Sequence, residues 1–303
     1  MPARTAAASD SLEGLALGDA FGDRWFQTDV DRAAAEHAAR IARKAPWHWT
    51  DDTAMALVLL RHLTDRGEVH QDALAREFAA AYTADPARKY GPSMHRVMRE
   101  VHAGADWRTV TAGMFGGQGS HGNGAAMRVA PLGAWFAADG LDRVAEQAER
   151  SALTTHFHPE AVAGAVAVAL GSALAVRSRG RVAPGRGEFL GAIAERLPES
   201  EVRSGLRLAA RFPAGTSVRH AAVVLGSGHL VSAADTVPFA LWCAAGRLDS
   251  LPEALWETVG GWGDMDTTCA IAGGVVAART GLAGVPATWL AARERLPGWV
   301  AAG

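Results

Sequence analysis

The sequence predicts an all-α fold, a single compact multi-helix domain, and three observations carry that reading. Alanine-rich apolar residues recur at helical spacing in segment after segment. Period-two alternation of β-branched and aromatic residues is rare, so strands have little support. The connections are short and punctuated by Gly and Pro, without a long polar linker. With 303 residues, 49% of them hydrophobic, the chain is long enough for one large core. Residues 1–303 are read as one domain, of which residues 1–10 are expected to form a flexible N-terminus.

The elements follow in order. Residues 11–20 read as the first helix, apolar at Leu12, Leu15, Ala16 and Ala20, with Asp10 or Ser11 as N-cap. Residues 51–63 form the next, with Met55, Leu59 and Leu63 on one face. Residues 71–82 follow and end before Asp85-Pro86, because a residue preceding proline is driven out of the α region. Gly91-Pro92-Ser93 opens a helix through Val97 and Val101, and residues 116–124 are a glycine-dense loop. Further helices are expected at 125–137, 141–153, 159–177, about 188–197, 201–212, 233–245, 252–259, 266–279 and 286–295. The most apolar run, 161–176, carries Gly164 and Gly171 and is short for a membrane span, so a buried helix explains it better.

Composition narrows the function classes. The net charge is −2 and no long like-charge run occurs, which leaves no electrostatic footprint for nucleic acid as a bulk partner. Two cysteines, Cys243 and Cys269, without a CxxC, argue against a disulfide scaffold or a zinc-thiolate site and fit a reducing cytoplasm. No signal-peptide core heads the chain, and no membrane partner is expected.

Two acidic clusters stand out, each at the head of an expected helix. The first is Trp49-Thr50-Asp51-Asp52-Thr53; the second is Gly261-Trp262-Gly263-Asp264-Met265-Asp266-Thr267-Thr268. Helix capping explains either one alone, since Asp and Thr are favoured at N-caps. A cap needs one acceptor oxygen, however, and each cluster supplies several. If the clusters meet, four carboxylates crowd one spot and cannot all stay ionised without compensation. Hard oxygen donors favour Mg²⁺ or Mn²⁺, with Ca²⁺ as an alternative. No EF-hand loop is present. Between the clusters, Gly116 to Gly124 reads either as a surface loop or as a phosphate cradle, its glycines leaving backbone N–H groups open to anions. His156 and His158 flank Phe157 just before a helix, where capping or packing is the common role.

Five ordered segments together resemble one family. They are Gly14-Leu15-Ala16-Leu17-Gly18-Asp19-Ala20-Phe21-Gly22; Trp49-Thr50-Asp51-Asp52-Thr53; residues 122–133, beginning Gly122-Asn123-Gly124-Ala125-Ala126; Thr154-Thr155-His156-Phe157-His158-Pro159-Glu160-Ala161; and residues 263–273, beginning Gly263-Asp264-Met265-Asp266-Thr267. Over nearly the whole chain the sequence resembles the ADP-ribosylglycohydrolases. The resemblance implies an all-α domain of the ADP-ribosylglycohydrolase type with two divalent cations, Mg²⁺ or Mn²⁺. It implies Thr50, Asp51, Asp52, Asp264, Asp266 and Thr267 as ligands, with Asp266 or Asp51 bridging the ions. It places Ser120, His121, Gly122, Asn123, Gly124, Ala125 and Ala126, together with His156, beside ADP-ribose, and leaves His158 structural. Trp25, Trp49 and Trp262 are candidates to line the pocket.

The expected reaction is hydrolysis of the glycosidic bond between ADP-ribose and an acceptor, on an ADP-ribosylated protein or a small ADP-ribosyl conjugate. One departure marks the chain. Many family members carry a glutamate shortly after the first motif, and here Phe26 stands in its place. Asp51, Asp52 or Asp23 then becomes the candidate catalytic acid or base. A non-catalytic ADP-ribose-binding module is the alternative reading, and a purely structural helical protein a third.

Overall fold

Residues 2–26 and 29–300 are described by a computed structural model, and among them helix follows helix with no strand. The helices are α1 (Pro2–Asp23), α2 (Val30–Ala38), α3 (Asp51–Arg66), α4 (Gln71–Ala84), α5 (Pro92–His102), α6 (Trp107–Ala112), α7 (Gly124–Met127), α8 (Ala130–Trp135) and α9 (Leu141–Leu153). They continue as α10 (Pro159–Arg177), α11 (Arg186–Ala194), α12 (Glu201–Ala209), α13 (Val218–Leu225), α14 (Ala233–Gly246), α15 (Leu251–Val259), α16 (Met265–Thr280) and α17 (Ala287–Ala292). A short 3-10 turn spans Met114–Gly117.

The fold is organised around the antiparallel contact of α1 with α16. Gly14, Gly18 and Gly22 recur every four residues and so share one stripe of α1. A Cβ on Gly18 would lie 2.0 Å from the carbonyl oxygen of Cys269, and one on Gly22 would lie 2.1 Å from that of Met265. From the other side, a Cβ on Gly273 would lie 2.3 Å from the carbonyl oxygen of Gly14. The two backbones touch, and only glycine permits this. Ser11 reinforces the seam: its hydroxyl donates to the Gly274 carbonyl at 2.8 Å.

Several expectations are corrected here. Residues 2–10 are not a flexible N-terminus but the first turns of α1, and Ala7 and Ala8 are buried. Ser11 is therefore an interior residue tying two helices together, not an N-cap. The helix expected at 125–137 is two pieces, α7 and α8. Pro131 has no N–H, and its ring would collide with the carbonyl of the residue four before it, so the helix breaks and restarts at Ala130. Three short helices, α2, α6 and α13, escaped the periodicity reading: α2 and α13 bury few residues, Ala33 alone in α2, and α6 is six residues long, too short to show a period.

The apolar run becomes α10, which passes through the centre of the molecule with thirteen buried residues. It is long and apolar enough to cross a membrane, but 72% of its apolar window is buried by protein. At the far end of the α1–α16 seam, Phe21, Trp25, Trp47, Trp256 and Trp289 form an aromatic cluster, with Phe21 and Trp289 stacked at 4.8 Å between ring centres. Both cysteines are buried and unpaired.

The seam yields a prediction. Gly18→Ala forces two backbones apart and should destabilise the fold by about 3 kcal/mol or more, given the 1–3 kcal/mol typical of overpacking where side chains can still shift. Urea denaturation of the variant measures this, and a loss under about 0.5 kcal/mol, the range of an ordinary surface change, would contradict the close contact.

Candidate active site

The site is built where the α1–α16 seam meets the head of α3. Asp19, one turn before the end of α1, is fully buried and acts as an acceptor hub. Its carboxylate accepts from the backbone N–H of Thr50 at 2.9 Å and of Thr53 at 3.1 Å, and from the Thr50 and Thr53 hydroxyls at 2.9 and 2.5 Å. These bonds satisfy N–H groups that a helix N-terminus would otherwise leave orphaned. They fix the start of α3 against α1, and α1 is already locked to α16. The two acidic clusters, more than two hundred residues apart in sequence, thereby converge.

Asp51, Asp52, Asp264, Asp266 and Thr267 all line one cleft of about 290 Å³. Ser120, His121, Gly122, Asn123, Gly124 and His156 line it as well. The glycine loop is held in place by backbone pairing: Ala233 N–H donates to the His121 carbonyl at 3.0 Å and Asn123 N–H to that of Val231 at 3.2 Å. Asn123 then spends both amide protons inside the cleft, one on Asp264 Oδ2 at 2.7 Å and one on Thr236 Oγ1 at 3.0 Å. Asp266 Oδ1 accepts from the Thr267 N–H at 2.8 Å.

The charge arrangement is costly as it stands. Burial pushes the Asp51 and Asp52 carboxyls well above the usual carboxylate range, and the charge of Asp19 adds to the shift. Burial, followed by the neighbouring Asp264, does the same to Asp266. Asp19 is raised to about 6 by burial, held there against the lowering effect of its threonine hydrogen bonds. The Arg128 guanidinium, fully buried, faces Asp51 of this group from within the core. It donates to the carbonyls of Gly124 at 3.1 Å and Ser151 at 2.9 Å and lies over the Phe78 ring at 4.5 Å. Burial pulls Arg128 down to about 9, opposed by the attraction of Asp51.

These residues fit a divalent cation on one specific observation. Asp52 Oδ1 is buried and has no hydrogen-bond partner, a costly condition for a carboxylate oxygen unless something positive faces it. Among the described residues, no three His, Cys, Asp or Glu side chains already surround one point as a closed cage. The carboxylates share a cleft wall rather than a finished coordination sphere.

His156 forms the support beneath the glycine loop. A Cβ on Gly124 would lie 2.8 Å from His156 Cε1, and one on Gly122 would lie 3.3 Å from Nε2. The imidazole packs against the backbone of both, leaving no room for a side chain at Gly124 and a tight fit at Gly122. Burial, then Arg128 and His121, lower the His156 pKa to about 3, so the ring is neutral. Its Nδ1 is fixed by the Thr155 hydroxyl at 2.8 Å. His158 is structural, as expected: its Nδ1 accepts from the Glu160 N–H at 3.1 Å and caps α10.

Other expected positions fall outside the cleft. Thr50 stands behind it, its hydroxyl shared between Asp19 and Asp52 Oδ2, which lies 3.1 Å away. Ala125 and Ala126 are buried under the glycine loop. Asp23 does not reach the carboxylates and is paired with Lys89. Trp25 is packed into the aromatic cluster, where Trp262 meets its edge, and Trp49 lies under the Arg88 guanidinium at 3.5 Å, so none of the three lines the cleft. Phe26 is 46% exposed and is also outside it. The sequence reading passed over Asp19, Arg128 and Lys89. A buried acid inside the first motif was the available signal for Asp19; nothing local marked the other two.

With this geometry in view, the comparisons with known proteins are direct. A family model described as ADP-ribosylglycohydrolase matches residues 2–302. The chain is 30% identical to "ADP-ribosylhydrolase ARH3" of Bos taurus over 82% of its own length and 74% of that protein's. It is 29% identical to the Homo sapiens protein of the same name, over 92% and 86% of the two chains. A solved structure described as an "ADP-ribosylglycohydrolase-related protein complex" shares the fold, with a TM-score of 0.62, 24% identity and coverage of 97% and 94%.

The buried histidine sets a pH dependence. Its folded pKa of about 3 lies below the ordinary 6.5, so the unfolded chain takes up the proton first. The stability that neutral His156 contributes is complete above about pH 6.5 and is lost as pH falls toward about 3. His156→Gln should flatten the fall in unfolding free energy across that window in denaturant titrations. An unchanged slope would show that other groups carry the acid sensitivity.

Proposed function

The chain belongs to the ADP-ribosylglycohydrolase family, and from that premise we propose that it hydrolyses the bond between C1″ of ADP-ribose and an acceptor atom with the help of divalent cations. The observation that carries this reading is the unpartnered Asp52 Oδ1, at the floor of a cleft that four aspartates line beside a glycine loop. Asp51, Asp52, Asp264, Asp266 and Thr267 would hold Mg²⁺ or Mn²⁺, with Thr50 supporting from behind. Bound there, such ions neutralise the crowded carboxylates and lower the pKa of water.

The residues divide the remaining work. Asn123 pins Asp264 Oδ2 and so presents its other oxygen to the cleft in one orientation. Neutral His156 keeps the Gly122–Gly124 backbone rigid, and the loop's N–H groups suit a diphosphate. Phe115, 57% exposed at the mouth, offers a ring face to a base. Asp52 takes the proton from the attacking water as its oxygen adds to C1″, the bond from C1″ to the acceptor atom breaks with its electron pair on that atom, and the proton passes to the departing acceptor. The transition state carries oxocarbenium character, as in other glycoside hydrolysis. Diphosphate binding away from C1″ supplies affinity that is spent on orientation.

The substrate is an ADP-ribosylated protein side chain or a small ADP-ribosyl conjugate. With Asp23 and Phe26 both outside the cleft, the floor aspartates carry the acid–base chemistry.

Two measurements test this. Asp52→Asn should lower ADP-ribose release from ADP-ribosylated protein by about 10²–10⁴-fold, the range for a positioned base, and near-normal turnover would remove Asp52 from the mechanism. Mg²⁺ or Mn²⁺ at about a hundred times its dissociation constant should stabilise the fold by about 2.7 kcal/mol, seen as a rise in melting temperature. Asp266→Asn should abolish that rise; a wild-type protein whose melting ignores both ions contradicts the metal assignment.

A further inference from the structure

We propose that Lys89 is a substrate-positioning residue that leaves Asp23 to bind the diphosphate of the ADP-ribosyl group. The proposal rests on the ADP-ribosyl reading given above. It stands on charge, placement and backbone geometry.

Among the described residues lining the cleft, Lys89 is the one lysine or arginine, against four aspartates on the floor. A ligand carrying two phosphate charges is repelled by such a floor unless positive charge meets it. The glycine loop supplies N–H dipoles but no full charge. Arg128 is fully buried beneath the surface and committed to two carbonyls. Lys89 is held by one partner, Asp23, and its side chain is 60% exposed.

Its backbone is unusual as well. Lys89 sits at φ +64°, the left-handed region that is unfavourable for a residue with a side chain. Glycine would occupy this position without that cost. The conformation turns the side chain to the seam between the main cleft and an adjoining pocket of about 240 Å³, both of which Lys89 lines. Asp23 lines only the smaller one. The Lys89–Asp23 ion pair thus parks the ammonium at the cleft rim. The lysine side of the pair stands in water while the Asp23 side chain is only 9% exposed, so a dianion in the cleft competes with a single carboxylate for an ammonium that solvent already reaches.

The test compares wild type with Lys89→Met and Asp23→Asn by calorimetry, using ADP-ribose, ADP and adenosine as probes, and by steady-state hydrolysis. Lys89→Met should weaken ADP-ribose and ADP about tenfold, equivalent to about 1.4 kcal/mol, while adenosine changes by less than about twofold. KM should rise by a similar factor with kcat nearly constant, as expected when uniform binding is lost. Asp23→Asn, which frees the ammonium, should act in the opposite direction and tighten ADP-ribose and ADP. Unchanged affinities in both variants, or equal weakening of adenosine and ADP by Lys89→Met, would overturn the proposal while leaving the hydrolase reading intact. A wild-type protein that binds neither ADP-ribose nor ADP would overturn that reading and this proposal with it.

Discussion

Everything at the candidate site depends on two helix backbones lying in direct contact. Gly14, Gly18 and Gly22 let α1 press against Gly273, Cys269 and Met265 of α16, backbone on backbone at Gly18 and Gly22 and with the Ala277 methyl also against Gly14. Interiors are packed to the density of organic crystals, so such a contact is nearly rigid. It sets the position of Asp19 relative to Asp264 and Asp266, and Asp19 in turn sets the start of α3 through Thr50 and Thr53. A seam made by absent side chains thus places the present ones.

The cost of this rigidity is electrostatic. Several buried carboxylates are held within one another's fields, and burial alone pushes Asp51, Asp52 and Asp266 toward their neutral forms. A protein selected only for stability would replace them with apolar residues, which is often neutral or stabilising. Their placement beside the unpartnered Asp52 Oδ1 is therefore what supports the cation-binding proposal. The same division appears on the glycine loop, where His156 is kept neutral and acts through shape, filling the space that Gly122 and Gly124 leave.

Much of this was legible in the sequence, for identifiable reasons. Long helices such as α9 and α10 were read at their true limits because their apolar periodicity or continuous burial extends over several turns. The acidic clusters were legible because carboxylates and threonines in excess of capping needs are a local anomaly. Short helices such as α2 and α13 were not, since their faces are only lightly buried and polar residues hide their period. The surroundings of Asp23 were not legible, because its proximity in sequence to the first motif says nothing of Lys89, sixty-six residues away, which pairs with its carboxylate.

The sequence by itself determined the all-α class, the four aspartates that come to share a cleft and the glycine loop beside them, because these depend on residue type and local spacing. Only the tertiary structure decided which of the candidates face that cleft. It put Thr50, Ala125 and Ala126 behind the wall, Trp25 and Trp49 into unrelated packing, and Asp19 and Arg128 beneath the carboxylates. The physical reason is that orientation toward a cleft is a property of helices meeting at fixed distance. That distance is set by the glycine seam between residues more than two hundred positions apart, which no local pattern encodes.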